Sequence, residues 1–159
     1  MKRVITISAL VFLAFAACKK AKGPANGNSV QPNNNLDSTV SVTALVNGVK
    51  WQADSEFGYF VKTSANDSGT VKLMIVATKK SKTNVTTFNL ILNNYTGPNT
   101  YQINPPVNSA TYYVGTARHW AILGKVVITS DTLYALKGTF NFVADSISVT
   151  SGVFNVASP

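Results

Sequence analysis

The stretch VSVTALVNGVKWQA, residues 40–53, decides the fold. Val40, Val42, Ala44 and Val46 alternate with Ser41, Thr43 and Leu45. A period of two places alternate side chains on opposite faces of a strand. Asn47-Gly48 then separates this run from Val49. Asn-Gly between β-rich runs is the strongest short hairpin signal, because a type I′ turn needs positive φ at both central residues. The implied register sets Val46 opposite Val49 and Ala44 opposite Trp51. A small residue across from an indole leaves room for it on the same face, so Trp51 is assigned to the core.

The same alternation runs through the rest of the chain. Phe57, Tyr59 and Val61 form a third strand, and Val71, Leu73, Ile75 and Ala77 a fourth. Phe88, Leu90 and Leu92 mark a fifth. Tyr101 to Ile103 makes a short strand stopped by Pro105-Pro106. Residues 111–117, 125–129, 133–144 and 147–156 complete the set. Between them lie turn signals: Asn66-Asp67-Ser68-Gly69, Lys79-Lys80-Ser81-Lys82 and Asn93 through Pro98. No segment after the leader repeats apolar residues at helical spacing with caps. The expected architecture is all-β: a mostly antiparallel β-sandwich or flattened barrel of about 9–10 strands, joined as a meander. Gly138-Thr139-Phe140-Asn141-Phe142 is echoed by Gly152-Val153-Phe154-Asn155-Val156. Five residues are too few for a repeat array. The echo reads as two neighbouring strands, each with a glycine at a bulge or close approach.

Upstream, the chain reads as an address. Lys2 and Arg3 precede an uncharged apolar run, residues 4–17, that ends in small residues. That is the grammar of a secretory signal, and the run is short for a membrane span of about 20 residues. Phe15-Ala16-Ala17-Cys18 resembles the lipobox of bacterial lipoproteins, with Phe15 where Leu is usual. The resemblance implies cleavage before Cys18 and acylation of that residue, the only cysteine in the chain. Several acyl chains give firm attachment where one is marginal. Lys19 rather than Asp follows the cysteine. By the same resemblance this implies the outer membrane, on its periplasmic side, with the cell surface as the alternative. The segment KKAKGPANGNSVQPNNNL, residues 19–36, has almost nothing to bury and reads as a tether spanning roughly 23 Å root-mean-square. The expected division is a signal peptide over 1–17, a lipidated tether over 18–37 and one all-β domain over 38–159.

The formal net charge is +8, but Lys2, Arg3, Lys19, Lys20 and Lys22 supply five of those charges. They belong to the leader and the anchor, where lysines meet anionic head groups. What remains is too mild and scattered for a nucleic-acid footprint. The expected partners are membrane lipid, through the acylated cysteine, and an envelope protein or glycan.

VTALVNGVKWQA (residues 42–53), GTFNFVA (138–144) and SGVFNV (151–156) resemble a family of small, uncharacterised Bacteroidota lipoproteins. Those proteins pair an early NG-x-x-W-x-A hairpin with a late GTF-x-F strand. The resemblance implies a secreted all-β lipoprotein and carries no activity.

Catalytic patterns are thin. His119 is the only histidine, and with Cys18 acylated no thiolate remains for zinc. No nucleophile elbow, P-loop or dinucleotide fingerprint is present, and no cofactor is expected. Asp54 and Glu56 follow the hairpin as turn residues, and Asp67 lacks the alternating acids of a calcium loop. Arg118, His119 and Trp120 are the candidate ligand contacts, with Trp120 exposed. Asp37-Ser38, Asp131-Thr132 and Asp145-Ser146 resemble the O-glycosylation acceptor of Bacteroidota envelope proteins, which nominates Ser38, Thr132 and Ser146. The expected function is a non-catalytic binding or accessory module. The alternatives are a lipocalin-like barrel for a small apolar ligand and, third, a hydrolase of glycan or peptide. The barrel requires an internal cavity of about 300 Å³ or more.

Overall fold

The computed structural model describes residues 40–54, 58–64 and 70–159. Cys18, Ser38, Glu56, Phe57 and Asp67 lie outside the described residues, as do the leader and the tether. Every described element is a strand: β1 (Ser41–Val46), β2 (Val49–Gln52), β3 (Gly58–Ser64), β4 (Val71–Lys80), β5 (Val85–Tyr95), β6 (Thr100–Ile103), β7 (Asn108–Val114), β8 (Ala117–Trp120), β9 (Leu123–Asp131), β10 (Ala135–Ala144) and β11 (Ile147–Ala157).

The opening hairpin forms as its sequence dictates. Asn47 and Gly48 have φ of 49° and 79°, the paired positive values of a type I′ turn. Val46 faces Val49 and Ala44 faces Trp51. Trp51 is 4% exposed. The turn is also fastened from outside: Asn47 Oδ1 accepts from the Ser148 N–H at 2.7 Å, and the Asn47 N–H donates to the Ser148 carbonyl at 2.8 Å.

The strands form one sheet in the order β6-β9-β10-β11-β3-β4-β5-β7-β8, with β1 and β2 branching from β11. It is not closed into a barrel. β11 is the seam. It pairs antiparallel with β10 and β1 over most of its length. At its end Ala157 meets Tyr59 of β3, in parallel. The sheet folds over at this seam and its two halves face each other. Phe88 of β5 shows why they stay together: its ring lies 4.4 Å from that of Trp51, and 5.3 and 5.9 Å from those of Phe140 and Phe142 on β10. Edge-to-face packing of this kind adds to simple burial. Leu73, Leu92, Val126 and Leu136 are wholly buried around it. The architecture is an all-β sandwich whose interior is filled by side chains.

Several sequence expectations need correction. Among the described residues there are eleven strands, and the connections are not a simple meander, since β1 pairs with β11 and β6 with β9. In β3 the buried face carries Gly58 and Phe60, whereas Tyr59 is exposed and Val61 only half-buried. Tyr59 and Phe60 are adjacent aromatics, so alternation alone sets no phase there. Gly58 decides it, because it packs under the side chains of Val40, Val42 and Val156. The strand expected over 111–117 is instead β7 from Asn108, then a turn at Gly115 (φ 59°), then β8. Leu133 and Tyr134 are exposed at the β9–β10 turn rather than inside a strand.

Candidate functional site

Strand alternation separates the three residues nominated together. On β8, Arg118 and Trp120 project from the outer face, where Trp120 pairs with Thr111 and is 52% exposed. Arg118 sits 5.8 Å from the Tyr113 ring centre. His119 points the other way, beside the Tyr112 ring at 6.5 Å. Its Nδ1 is 3.9 Å from Asp145 Oδ2, too long for a hydrogen bond. Arg118, His119 and Trp120 therefore do not converge on one ligand. Thr132 is occupied by its own turn: its hydroxyl donates to the Ala135 carbonyl and accepts from the Ala135 N–H, both at 3.0 Å. Ser146 is exposed in the β10–β11 turn, after Asp145 with φ of 49°. Asp54 binds the backbone, accepting from the Lys80 N–H at 2.7 Å.

The best-formed concavity lies elsewhere, at the open end of the sandwich. It is a cleft of about 290 Å³ between the β1–β2 hairpin and the β4–β5 end. Its floor is Trp51 and Tyr112, which close the aromatic core from the outside. The Trp51 indole N–H donates to Thr86 Oγ1 at 2.8 Å across the two sheet halves. Tyr112 also contacts Thr86 through its hydroxyl, and burial raises its pKa above the usual tyrosine value, with the Thr86 bond working against that rise. Lys50, Lys79, Ser81, Asn84, Val46 and Val49 line the rest of the cleft.

The rim is preset by local bonds. The Ser81 N–H and hydroxyl donate to the Asn84 carbonyl at 2.8 and 2.9 Å, and the Asn84 N–H donates back to Ser81 Oγ at 3.0 Å. These use the Asn84 backbone and leave its side-chain amide facing no partner among the described residues. Among the described residues no acid lines the cleft. Neither Lys50 nor Lys79 forms an ion pair among the described residues.

A second polar cluster ties the sheet halves together. Lys62 of β3 donates to Asp131 Oδ1 at the end of β9, and the Tyr95 hydroxyl donates to Asp131 Oδ2 at 2.6 Å. The Lys62 ammonium lies 5.5 Å from the centres of both the Phe60 and Tyr95 rings. Burial first, then the bond to Asp131 and its negative charge, then Tyr101, push the Tyr95 pKa well above the ordinary tyrosine value. Tyr95 is thus held protonated, the reverse of what a tyrosinate nucleophile needs, and the cluster acts as a clasp.

The sequence placed Trp51 in the core and read Lys79-Lys80-Ser81-Lys82 as a turn. The first reading holds; the turn is shorter than expected, since Lys79 and Lys80 end β4 and only Ser81 and Lys82 of the four lie between the strands. The cleft was missed because it arises only where residues far apart in the chain meet at one sandwich end. No family model, no curated protein and no solved structure matches the chain.

Proposed function

We propose that the chain is an outer-membrane lipoprotein, anchored through acylated Cys18 and facing the periplasm, whose β domain is a non-catalytic binding module. The observation that carries the binding role is the cleft over Trp51 and Tyr112. It joins a preset rim, an aromatic floor and two lysines that form no ion pair among the described residues. Such concave sites with a few placed polar groups are the usual form of ligand pockets. The grouping of side chains favours binding over turnover. Among the described residues no three His, Cys, Asp or Glu side chains cluster, and the cleft offers no carboxylate to serve as a base. The filled interior and open sheet give a lipocalin-like ligand no lumen.

The experiment has two arms. The full chain is expressed in a Gram-negative host beside Cys18→Ser, and membranes are separated with and without detergent. The native chain is expected to need detergent for release, and the variant is expected in the soluble fraction. The domain is then titrated with solubilised envelope glycans while backbone amide shifts are recorded. Shifts confined to Lys50, Trp51, Ser81 and Asn84 support the module. Chemical conversion of a glycan by the chain would instead support the hydrolase.

A further inference from the structure

We propose that the cleft takes an anionic sugar, a single ring bearing a carboxylate or a phosphate. This rests on the cleft being the binding site of the module. Its size sets the first limit. About 290 Å³ is at the low end of ligand pockets, roughly 300–1,000 Å³, which suits one ring and not a longer segment. Charge sets the second. Among the described residues Lys50 and Lys79 are the only charged side chains in the lining, and Lys82 lies exposed at the adjoining β4–β5 turn. An anion there meets ammonium donors, and among the described residues the nearest acid, Asp54, is outside the lining and bonded to the Lys80 N–H.

The remaining free amide sets the third limit. The Asn84 side-chain amide lies in the lining without a partner among the described residues, whereas the Ser81 and Thr86 hydroxyls are already engaged. A hydroxyl-bearing ring can use that amide, whereas an alkyl chain would leave it unmatched. Trp51 and Tyr112 are 4% and 7% exposed, so they present only their edges at the base of the cleft. The Trp51 N–H is already committed to Thr86, so the indole is fixed in place before any ligand arrives.

Trp51 and Trp120 are the two tryptophans of the chain, and Trp120 lies on the outer sheet face away from the cleft. The full chain carrying Trp120→Phe therefore reports the cleft through Trp51 emission alone. It is titrated in detergent micelles with glucuronate, glucose 6-phosphate and glucose. One or both anionic sugars are expected to change the emission saturably, more weakly as salt rises, while glucose does not. A response to only one of them supports the proposal and identifies the source, carboxylated or phosphorylated. Adding Lys50→Gln and Lys79→Gln together is expected to weaken binding by about tenfold or more, with the melting transition unchanged. If glucose binds as well as the acids, or the double lysine variant binds as the parent does, the anionic class is wrong and the cleft stands as a neutral site. If none of the three changes Trp51 emission, and amide shifts in the cleft are also absent, both the class and the cleft as a binding site fall.

Discussion

The ring of Phe154 lies across Gly138, its direct partner on the neighbouring strand, and Phe140 lies in the same way across Gly152. The two strands exchange a phenyl for a glycine, each ring filling the space the opposite residue lacks. A Cβ at Gly138 would collide with the Val127 carbonyl and the Phe154 ring, and one at Gly152 would sit 2.5 Å from the Phe140 carbonyl. The bulge between Phe140 and Phe142 lies beside this exchange.

Gly138→Ala and Gly152→Ala are therefore expected to destabilise the domain by about 3 kcal/mol each, the upper range of overpacking in a filled core. Gly48→Ala is the matched comparison. Nothing lies within 4 Å of an added Cβ there, but φ is 79°. Its penalty is then only conformational, about 1 kcal/mol. Urea unfolding of the three variants checks the ranking, and equal losses would show that the Phe–Gly exchange is not tightly packed.

How legible this was depends on how far apart the partners sit. The Asn47-Gly48 hairpin and its Ala44–Trp51 pair are local, so alternation and turn chemistry determined them. The glycine echo was legible as two adjacent strands with a glycine at a bulge or close approach, but the reciprocal Phe–Gly exchange follows from the register between them. Arg118, His119 and Trp120 looked like a cluster because they are neighbours in sequence, but a strand sends neighbours to opposite faces. The cleft joins Trp51, Lys79 and Tyr112 from three strands, and the clasp joins Lys62 to Asp131. Those meetings follow from where β11 hands the sheet from β10 to β3, a topological choice that no local period encodes.

The Trp51–Thr86 bond makes a separate prediction. Thr86→Val keeps the shape of the side chain but leaves a buried indole N–H without an acceptor. That should cost about 1–3 kcal/mol, while Thr86→Ser, which keeps the hydroxyl, should stay within about 1 kcal/mol of the parent. Urea midpoints test this. Equal midpoints for the valine and serine variants would mean that water replaces Thr86 as acceptor.

The clasp predicts an asymmetry between its members. Lys62 is about a third exposed, at 33% for its side chain, against 13% for Asp131. An ion pair open to solvent on one side is worth about 1 kcal/mol or less, so Lys62→Met should change stability little. Asp131→Ala removes the acceptor of both Lys62 and the Tyr95 hydroxyl. Leaving that hydroxyl unpaired should cost about 1–3 kcal/mol. Thermal melts of the two variants separate the contributions. A larger loss from Lys62→Met than from Asp131→Ala would reverse the assignment of Asp131 as the hub.

Tyr95 gives the domain a defined response to alkali. Its folded pKa is raised, by burial first and then by the bond to Asp131 and its charge. In the unfolded chain a tyrosine releases its proton near pH 10. Above that pH the unfolded state holds fewer protons at this site than the folded state. Stability must then fall as pH rises, and it is fully retained below about pH 10. Tyr95→Phe has no proton to lose and should show a shallower decline above pH 10, although it is less stable at neutral pH for want of the Asp131 bond. Repeating both titrations in the Lys62→Met background keeps the lysine's own deprotonation out of the comparison. The difference in slope between the parent chain and Tyr95→Phe is the measurement. Parallel slopes above pH 10 would mean that the hydroxyl ionises as readily in the fold as in the open chain, and that the Asp131 bond does not hold its proton.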